Sequence, residues 1–387
     1  MSTCGYFESG TCRSCNLLNL PYELQLQNKY LNLADAFSEA GLAQKILPVV
    51  PSQSLLPSRN KAKMAVGGSK EKPVLGFPGA DLRIVDIPKC PILIAPIPEI
   101  IATIQNLITT YSLEPYDIEK RTGELKYVLA RASETTGEAY VRLVLRSRDC
   151  IDSARLLLEK LQSLLPAVRV ISVNIQPVPQ AIIEGPEEII FSKQEYIIDE
   201  IAGKKLTFSP QSFSQVTSNV AEKLYAYVAQ VLRERGSTDL LDLYCGVGAF
   251  SIIASGSIER GVGVEISEQA IQNAARSAEL NSIRNLQFFA GDVEEFLKTY
   301  AERPTAVIVN PPRRGLSDAT VASLLRMSPQ LLIYSSCFPD TLLRDLRVLT
   351  QEYSIDSVQP FDMFPLTSHV ETVVVLSRKS ATNLSCS

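Results

Sequence analysis

The carboxyl half of the chain alternates short apolar runs with amphipathic stretches. LLDLY (240–244), GVGVEI (261–266), LQFFAGD (286–292), TAVIVN (305–310) and LLIYSS (331–336) are dense in Leu, Ile and Val and too short for helices. Between them, stretches such as SEQAIQNAARSAEL and PDTLLRDLRVL carry the helical period. DSVQPFDMF and ETVVVLSRK add two further strand candidates near the end. Strands alternating with helices predict a parallel sheet of about seven strands with helices on both faces. Ligands of such sheets sit outside the carboxyl ends of the strands. The positions of interest are therefore Cys245-Gly246, Glu265, Asp292, Asn310 and Ser336-Cys337.

The half before about residue 205 has another rhythm. YELQLQNKYLNLADAFSEAG predicts a helix near 22–41, and VVPSQSLLPS (49–58) reads as a loop. ELKYVLARAS and EAYVRLVLRS alternate around a TTG turn, as a hairpin does. DSARLLLEKLQSLL reads as an amphipathic helix and VRVISVNIQ as a further strand. The expectation is an α+β domain with an antiparallel sheet over 1–204, then an α/β domain over 205–387. The helix near 22–41 is free to pack on the latter.

Composition narrows the class. A chain of 387 residues, 45% hydrophobic and 21% charged, has the makeup of a two-domain globular protein. No stretch approaches the roughly 18 consecutive apolar residues of a membrane span. The opening MSTCGYFESGTCRSC has neither a basic n-region nor an apolar h-region, so a cytoplasmic chain without a signal peptide or membrane association is expected. A monomer is expected too. The net charge of −4 argues against a surface coated in phosphate contacts and leaves room for a local basic groove. With one histidine, His369, and no Trp, acid–base chemistry falls mainly on carboxylates. Eight cysteines in such a chain read as ligands, catalysts or core residues rather than disulfides.

Three constellations carry chemistry. In DLYCGVGAF (242–250) a strand runs into Gly246-x-Gly248 and a helix, which lets the backbone approach a ligand without Cβ clashes. Glu265 ends the next strand nineteen positions after Gly246, a spacing that suits a carboxylate on ribose hydroxyls. The bland reading is a tight turn without a ligand. With the acidic strand end, the shortened glycine pattern leans toward S-adenosylmethionine over a dinucleotide. In NPPRRG (310–315) two prolines stiffen a loop that can present Asn310 to a planar base and Arg313 and Arg314 to a phosphate. In YSSCFPD (334–340) Cys337 stands where a parallel sheet delivers active-site residues, although most lone cysteines are small buried hydrophobes. A thiolate there can attack C6 of a pyrimidine and make C5 nucleophilic toward a sulfonium methyl. The C5 proton then needs a base, and Glu371 in SHVETVVVL is a candidate. His369 reads as a buried, hydrogen-bonded residue rather than a catalyst. At the amino end, Cys4, Cys12 and Cys15 form C-x7-C-x2-C, with Cys90 apart from them. The spacing favours a metal over none and leaves its identity open.

Taken together, CGYFESGTCRSC, RNKAKM, GELKYVL, NIQPV, PQSFSQV, DLYCGVGAF, NPPRRG, YSSC and FDMFPLTSHVE run nearly end to end. The chain resembles the bacterial RNA uracil-C5 methyltransferases that make 5-methyluridine, and within them the shorter 23S rRNA type without an amino-terminal TRAM domain. The resemblance implies a Rossmann-like S-adenosylmethionine-dependent domain preceded by an iron–sulfur and RNA-binding domain. It implies a [4Fe–4S] cluster on Cys4, Cys12, Cys15 and Cys90, and S-adenosylmethionine contacts from Gln215, Tyr244, Glu265 and Asn310. It makes Cys337 the nucleophile and Glu371 the base. Sister enzymes carry Asp in place of Asn310; an amide cannot act as a base, so that task falls on Glu371.

The implied substrate is a loop uridine of 23S rRNA, since the target base must leave its stack. Arg59, Lys61 and Lys63, together with Arg142, Arg146 and Arg148 counted onto one strand face, are the candidate RNA contacts, with Arg313 at the site. Rival readings are 5-methyluridine formation in tRNA or at another 23S site, an RNA cytosine-C5 methyltransferase, an amino methyltransferase and an inactive RNA-binding protein. A cytosine enzyme would carry a second cysteine in the loop occupied by NPPRRG, and an amino methyltransferase an aromatic residue where Arg313 stands. Inactivity sits poorly with the set of Cys337, Glu371 and cofactor residues that the resemblance implies.

Overall fold

The computed structural model describes residues 3–42, 45–79, 84–178 and 183–380, and the eighth cysteine, Cys386, lies outside them. The chain folds into two compact units: Met1–Cys15 with Ser54–Glu200 and Thr207–Gln211, and Asn16–Gln53 with Ile201–Leu206 and Ser212–Ser387. Among the described residues no helix is long and apolar enough to cross a membrane.

The first unit is built on a seven-stranded sheet. Its strands are β1 (Lys61–Gly68), β2 (Pro73–Pro78), β3 (Ile84–Asp86), β4 (Leu125–Ala132), β5 (Ala139–Leu145), β6 (Val168–Ile175) and β7 (Glu187–Ile190), in the order β3-β2-β1-β4-β5-β6-β7. β4 and β5 form the hairpin expected around the TTG turn. Only the β5–β6 pair is parallel, and helix Ile151–Leu164 makes that crossover. This helix and helix Ile97–Thr110 bury Leu and Ile at helical spacing, which is why they pack rather than stand free. A short hairpin follows, β8 (Ile197–Ile201) and β9 (Lys204–Phe208), turning at Ala202 and Gly203 with φ 52° and 71°.

The second unit carries the other seven-stranded sheet: β10 (Asp239–Leu243), β11 (Arg260–Glu265), β12 (Leu286–Ala290), β13 (Ala306–Val309), β14 (Leu331–Ser336), β15 (Tyr353–Phe361) and β16 (Glu371–Arg378). Their order is β12-β11-β10-β13-β14-β16-β15. β10 to β14 are parallel, whereas β16 runs antiparallel between β14 and β15. The strand order reverses between β10 and β13, so a crevice opens at the carboxyl ends there. The central strands are apolar on both faces because both faces are covered: Leu241, Leu243, Val307, Val309, Leu332 and Tyr334 share one core with Leu33 and Phe37. Those last two belong to helix Tyr22–Glu39, which buries every fourth residue from Gln25 to Phe37. Its buried Lys29 pairs with the carboxylate of Asp362, which also accepts from the Tyr22 hydroxyl at 2.8 Å.

Candidate active site

The strand–helix turn after β10 is built from left-handed residues, with Tyr244 at φ 59°, Gly246 at 55° and Gly248 at 72°. A Cβ on Gly248 would lie 2.7 Å from the Phe288 ring, whereas one on Gly246 would meet nothing within 4 Å. The first glycine therefore leaves open space for a ligand and the second permits close packing. Glu265, at the end of β11, accepts from the Gly246 N–H at 3.2 Å and the Ser267 N–H at 3.1 Å. Asp242 lies fully buried behind the turn, receives the Ser251 hydroxyl, and is pushed up to about 7 by burial. Gln215 is buried on the loop before helix Ser218–Glu234, and neighbouring Phe213 is 64% exposed. Asn310 is half-buried at the end of β13, its N–H bonded to the Leu243 carbonyl at 3.3 Å.

One sheet register joins two residues that stand 34 positions apart in the chain. β14 pairs with β16 through Ser335–Val373 and Ser336–Thr372, so the next residues along the pair are Cys337 and Glu371. Glu371 is 2% exposed and accepts the Ser335 hydroxyl at 2.7 Å. Burial pushes its carboxyl up to about 7, with the Ser335 bond holding it back. Cys337 is half-buried; burial and then the Glu371 charge raise its thiol, while a hydrogen bond and the charge of Arg313 lower it. Ser335 and the placement of Arg313 beside the Cys337–Phe338 segment were missed in the sequence, because neither follows from linear spacing. His369 is exposed, its ring 6.2 Å from Phe364 and edge-on to it, which corrects the expectation of a buried histidine.

A family model described as tRNA (Uracil-5-)-methyltransferase matches residues 136–379. The chain belongs to that family. It is 40% identical, over 97% of its length and 99% of the relative's, to the 23S rRNA (uracil(747)-C(5))-methyltransferase RlmC of Pectobacterium atrosepticum. It is 41% identical to the protein of that name from Halothiobacillus neapolitanus, over 97% of this chain and 99% of the other. Among solved structures, the Pyrococcus abyssi tRNA (uracil-54, C5)-methyltransferase in complex with S-adenosyl-L-homocysteine aligns with a TM-score of 0.76 and 28% identity, covering 94% of this chain and 85% of that one.

The first unit of this uracil-5-methyltransferase family member holds the remaining candidates. Burial and mutual charge raise the thiols of Cys15, to about 11, and Cys90, with Cys4 and Cys12 among the charges acting on both. Arg59 faces Cys15 and Cys90 and lowers both. Among the described residues, no group of three or more His, Cys, Asp or Glu is placed to hold a metal ion. Lys63 is exposed, whereas Lys61 is half-buried and pushed down to about 8, chiefly by burial. The expectation for Arg142 is corrected. It is fully buried and bonds Glu188 at 2.7 Å and Glu184 at 3.4 Å. Period-two counting assigns a face and not what covers it; Arg142 stands opposite the small Ser172 of β6 and reaches past it to β7. β5 ends at Leu145, so Arg146 and Arg148 lie beyond the strand, paired with Glu124 and Glu187.

Proposed function

We propose that this protein methylates C5 of a loop uridine in 23S rRNA to give 5-methyluridine. Support comes from family membership and from full-length relatives at about 40% identity that bear a 23S rRNA uracil-C5 name. The observation that carries the mechanism is the register that sets Cys337 beside Glu371. S-adenosylmethionine would supply an electrophilic methyl group, held by the open turn at Gly246 and Gly248 with Gln215, Tyr244, Glu265 and Asn310. Cys337 adds as thiolate to C6 of uracil, forming the S–C6 bond and placing the electron pair on C5. C5 takes the methyl group as its bond to the sulfonium sulfur breaks, the electron pair staying on sulfur to leave S-adenosylhomocysteine, and Glu371 removes the C5 proton. The electron pair of that C–H bond re-forms the C5–C6 double bond and expels Cys337 as thiolate. A carboxyl raised to about 7 suits that last step, because its conjugate base is stronger than an ordinary carboxylate and still present at neutral pH.

The test uses 23S rRNA fragments carrying 5-fluorouridine, since fluorine at C5 blocks proton removal. The wild type should form a covalent RNA adduct with cofactor present and Cys337→Ala none; an adduct with Cys337→Ala overturns the mechanism. On ordinary uridine, Glu371→Gln should accumulate the adduct. Parallel tRNA and 23S transcripts separate the two substrate classes found among the relatives, and the fragment spanning position 747 is the one expected to react.

We further infer a [4Fe–4S] cluster on Cys4, Cys12, Cys15 and Cys90. A single ion requires its donors to converge, with sulfur at about 2.3 Å; a cluster takes one thiolate on each iron, so four thiolates need not meet at a point. The raised thiols of Cys15 and Cys90, with Cys4 and Cys12 close enough to act on both and Arg59 facing them, fit such a group. Bound there, it would cross-link the amino terminus to the Cys90 loop. An anaerobic preparation without iron or broad visible absorption would falsify this.

A further inference from the structure

Helix Pro339–Leu349 begins two residues after Cys337, and its first turns are bonded to the main chain of a different loop. That loop is NPPRRG, whose two prolines offer no N–H and whose main chain beyond Asn310 lies outside any strand. Thr341 Oγ1 donates to the Arg313 carbonyl at 3.0 Å. Arg344 Nη2 donates to the carbonyls of Arg314 at 3.1 Å and Leu316 at 2.8 Å. Asp345, 3% exposed, accepts the Leu316 N–H at 2.8 Å and the Tyr334 hydroxyl at 2.7 Å on the same oxygen. Its other oxygen receives Arg344 at 2.7–2.8 Å. Gly315, at φ 75°, lets the loop close on the helix: a Cβ there would lie 2.7 Å from Arg344 Nη2 and from Asp345 Oδ2.

We infer that Thr341, Arg344 and Asp345 are positioning residues, which lock residues 313–316 so that the exposed Arg313 side chain stays beside Phe338 and the neighbouring Cys337. Arg313 is otherwise a long surface side chain with many rotamers to lose. Its guanidinium carbon lies 5.7 Å from the centre of the Phe338 ring, and its main chain is held by the helix that follows the nucleophile. Tyr334 ties the same carboxylate to β14, three residues before Cys337. Strand, thiol, helix and loop therefore move as one body, and the thiol and its cation keep their distance. The charged groups facing Cys337 are Glu371 from β16 and Arg313 from the loop, so loss of Arg313 leaves only the carboxylate. The inference rests on Cys337 as nucleophile and adds how that thiol is kept reactive.

The experiment measures iodoacetamide alkylation at the Cys337 peptide by mass spectrometry, as a function of pH, in the full-length protein. Arg313→Gln should raise the apparent pKa of Cys337; half a unit lowers alkylation at neutral pH about three-fold. Thr341→Val, which keeps shape and loses one bond, and Asp345→Asn should do the same, and neither should add to Arg313→Gln. If Arg313→Gln moves the profile and both helix variants leave it unchanged with melting temperatures near wild type, the positioning role is overturned. If Arg313→Gln leaves it unchanged, the inference fails at its first step. Neither result touches the nucleophile itself, which the 5-fluorouridine adduct reads separately.

Discussion

Replacing Glu371 with Gln should stabilise the protein at alkaline pH while it stops turnover. In the folded chain the carboxyl sits at about 7 instead of 4.5, because burial disfavours its charge. Below 4.5 it is protonated whether folded or unfolded and contributes nothing. Between 4.5 and 7 the unfolded chain gives up the proton and the folded one keeps it, so stability falls as pH rises. Above 7 the folded protein carries the full cost of a buried charge, roughly 3 kcal/mol. Glutamine has no such cost, and its carbonyl can still accept from Ser335. Its NH2 group can be left unpaired at about 1–3 kcal/mol, but that cost is the same at every pH. The gap between variant and wild type should therefore open by about 2–3 kcal/mol from pH 5 to pH 8. The buried carboxyl of Asp242 is common to both proteins and cancels. With about 2.1 cal/mol/K per residue over a cooperative 387-residue chain, that is close to 3 °C in melting temperature. Differential scanning fluorimetry across that pH range measures it. A gap that stays constant, or closes as pH rises, refutes the buried, raised carboxyl.

Lys29→Met leaves the Asp362 charge buried without its partner and should cost about 3–5 kcal/mol, read as a lower melting temperature that Asp362→Asn in the same chain partly restores. Gly248→Ala forces a Cβ against Phe288 at positive φ; isothermal titration should show at least a roughly ten-fold loss of S-adenosylhomocysteine affinity, with about 1–3 kcal/mol of strain. Arg142→Ala should lower stability and leave the salt dependence of RNA binding unchanged, because the side chain is inside and paired. Lys63→Ala, at an exposed position, should reduce that salt slope by about one while stability holds.

The elements themselves were legible in the chain. LLIYSS coincides with β14, and the five parallel strands match their apolar runs to within a residue or two, because short Leu, Ile and Val runs between helical periods have few other places to go. The turn at Gly246 and the acidic end of β11 were legible for the same reason: their geometry is local. Arg142 was not, since a residue's alternation says which way it points and its neighbours across β6 decide whether water is there. Nor were Ser335, Arg344 or Asp345, whose partners lie on other elements.

The residue types therefore limited what chemistry was possible: a thiol, Cys337, at the end of the fifth apolar run, a carboxylate 34 positions later, and nearly no histidine. Only the tertiary structure made them a pair. β16 inserts antiparallel between β14 and β15, and that one choice of strand order sets Glu371 next to Cys337. It also buries the carboxyl, which raises its pKa. Strand order is settled by how helices and strands share a common core, a sum over many weak contacts that no local stretch of sequence contains.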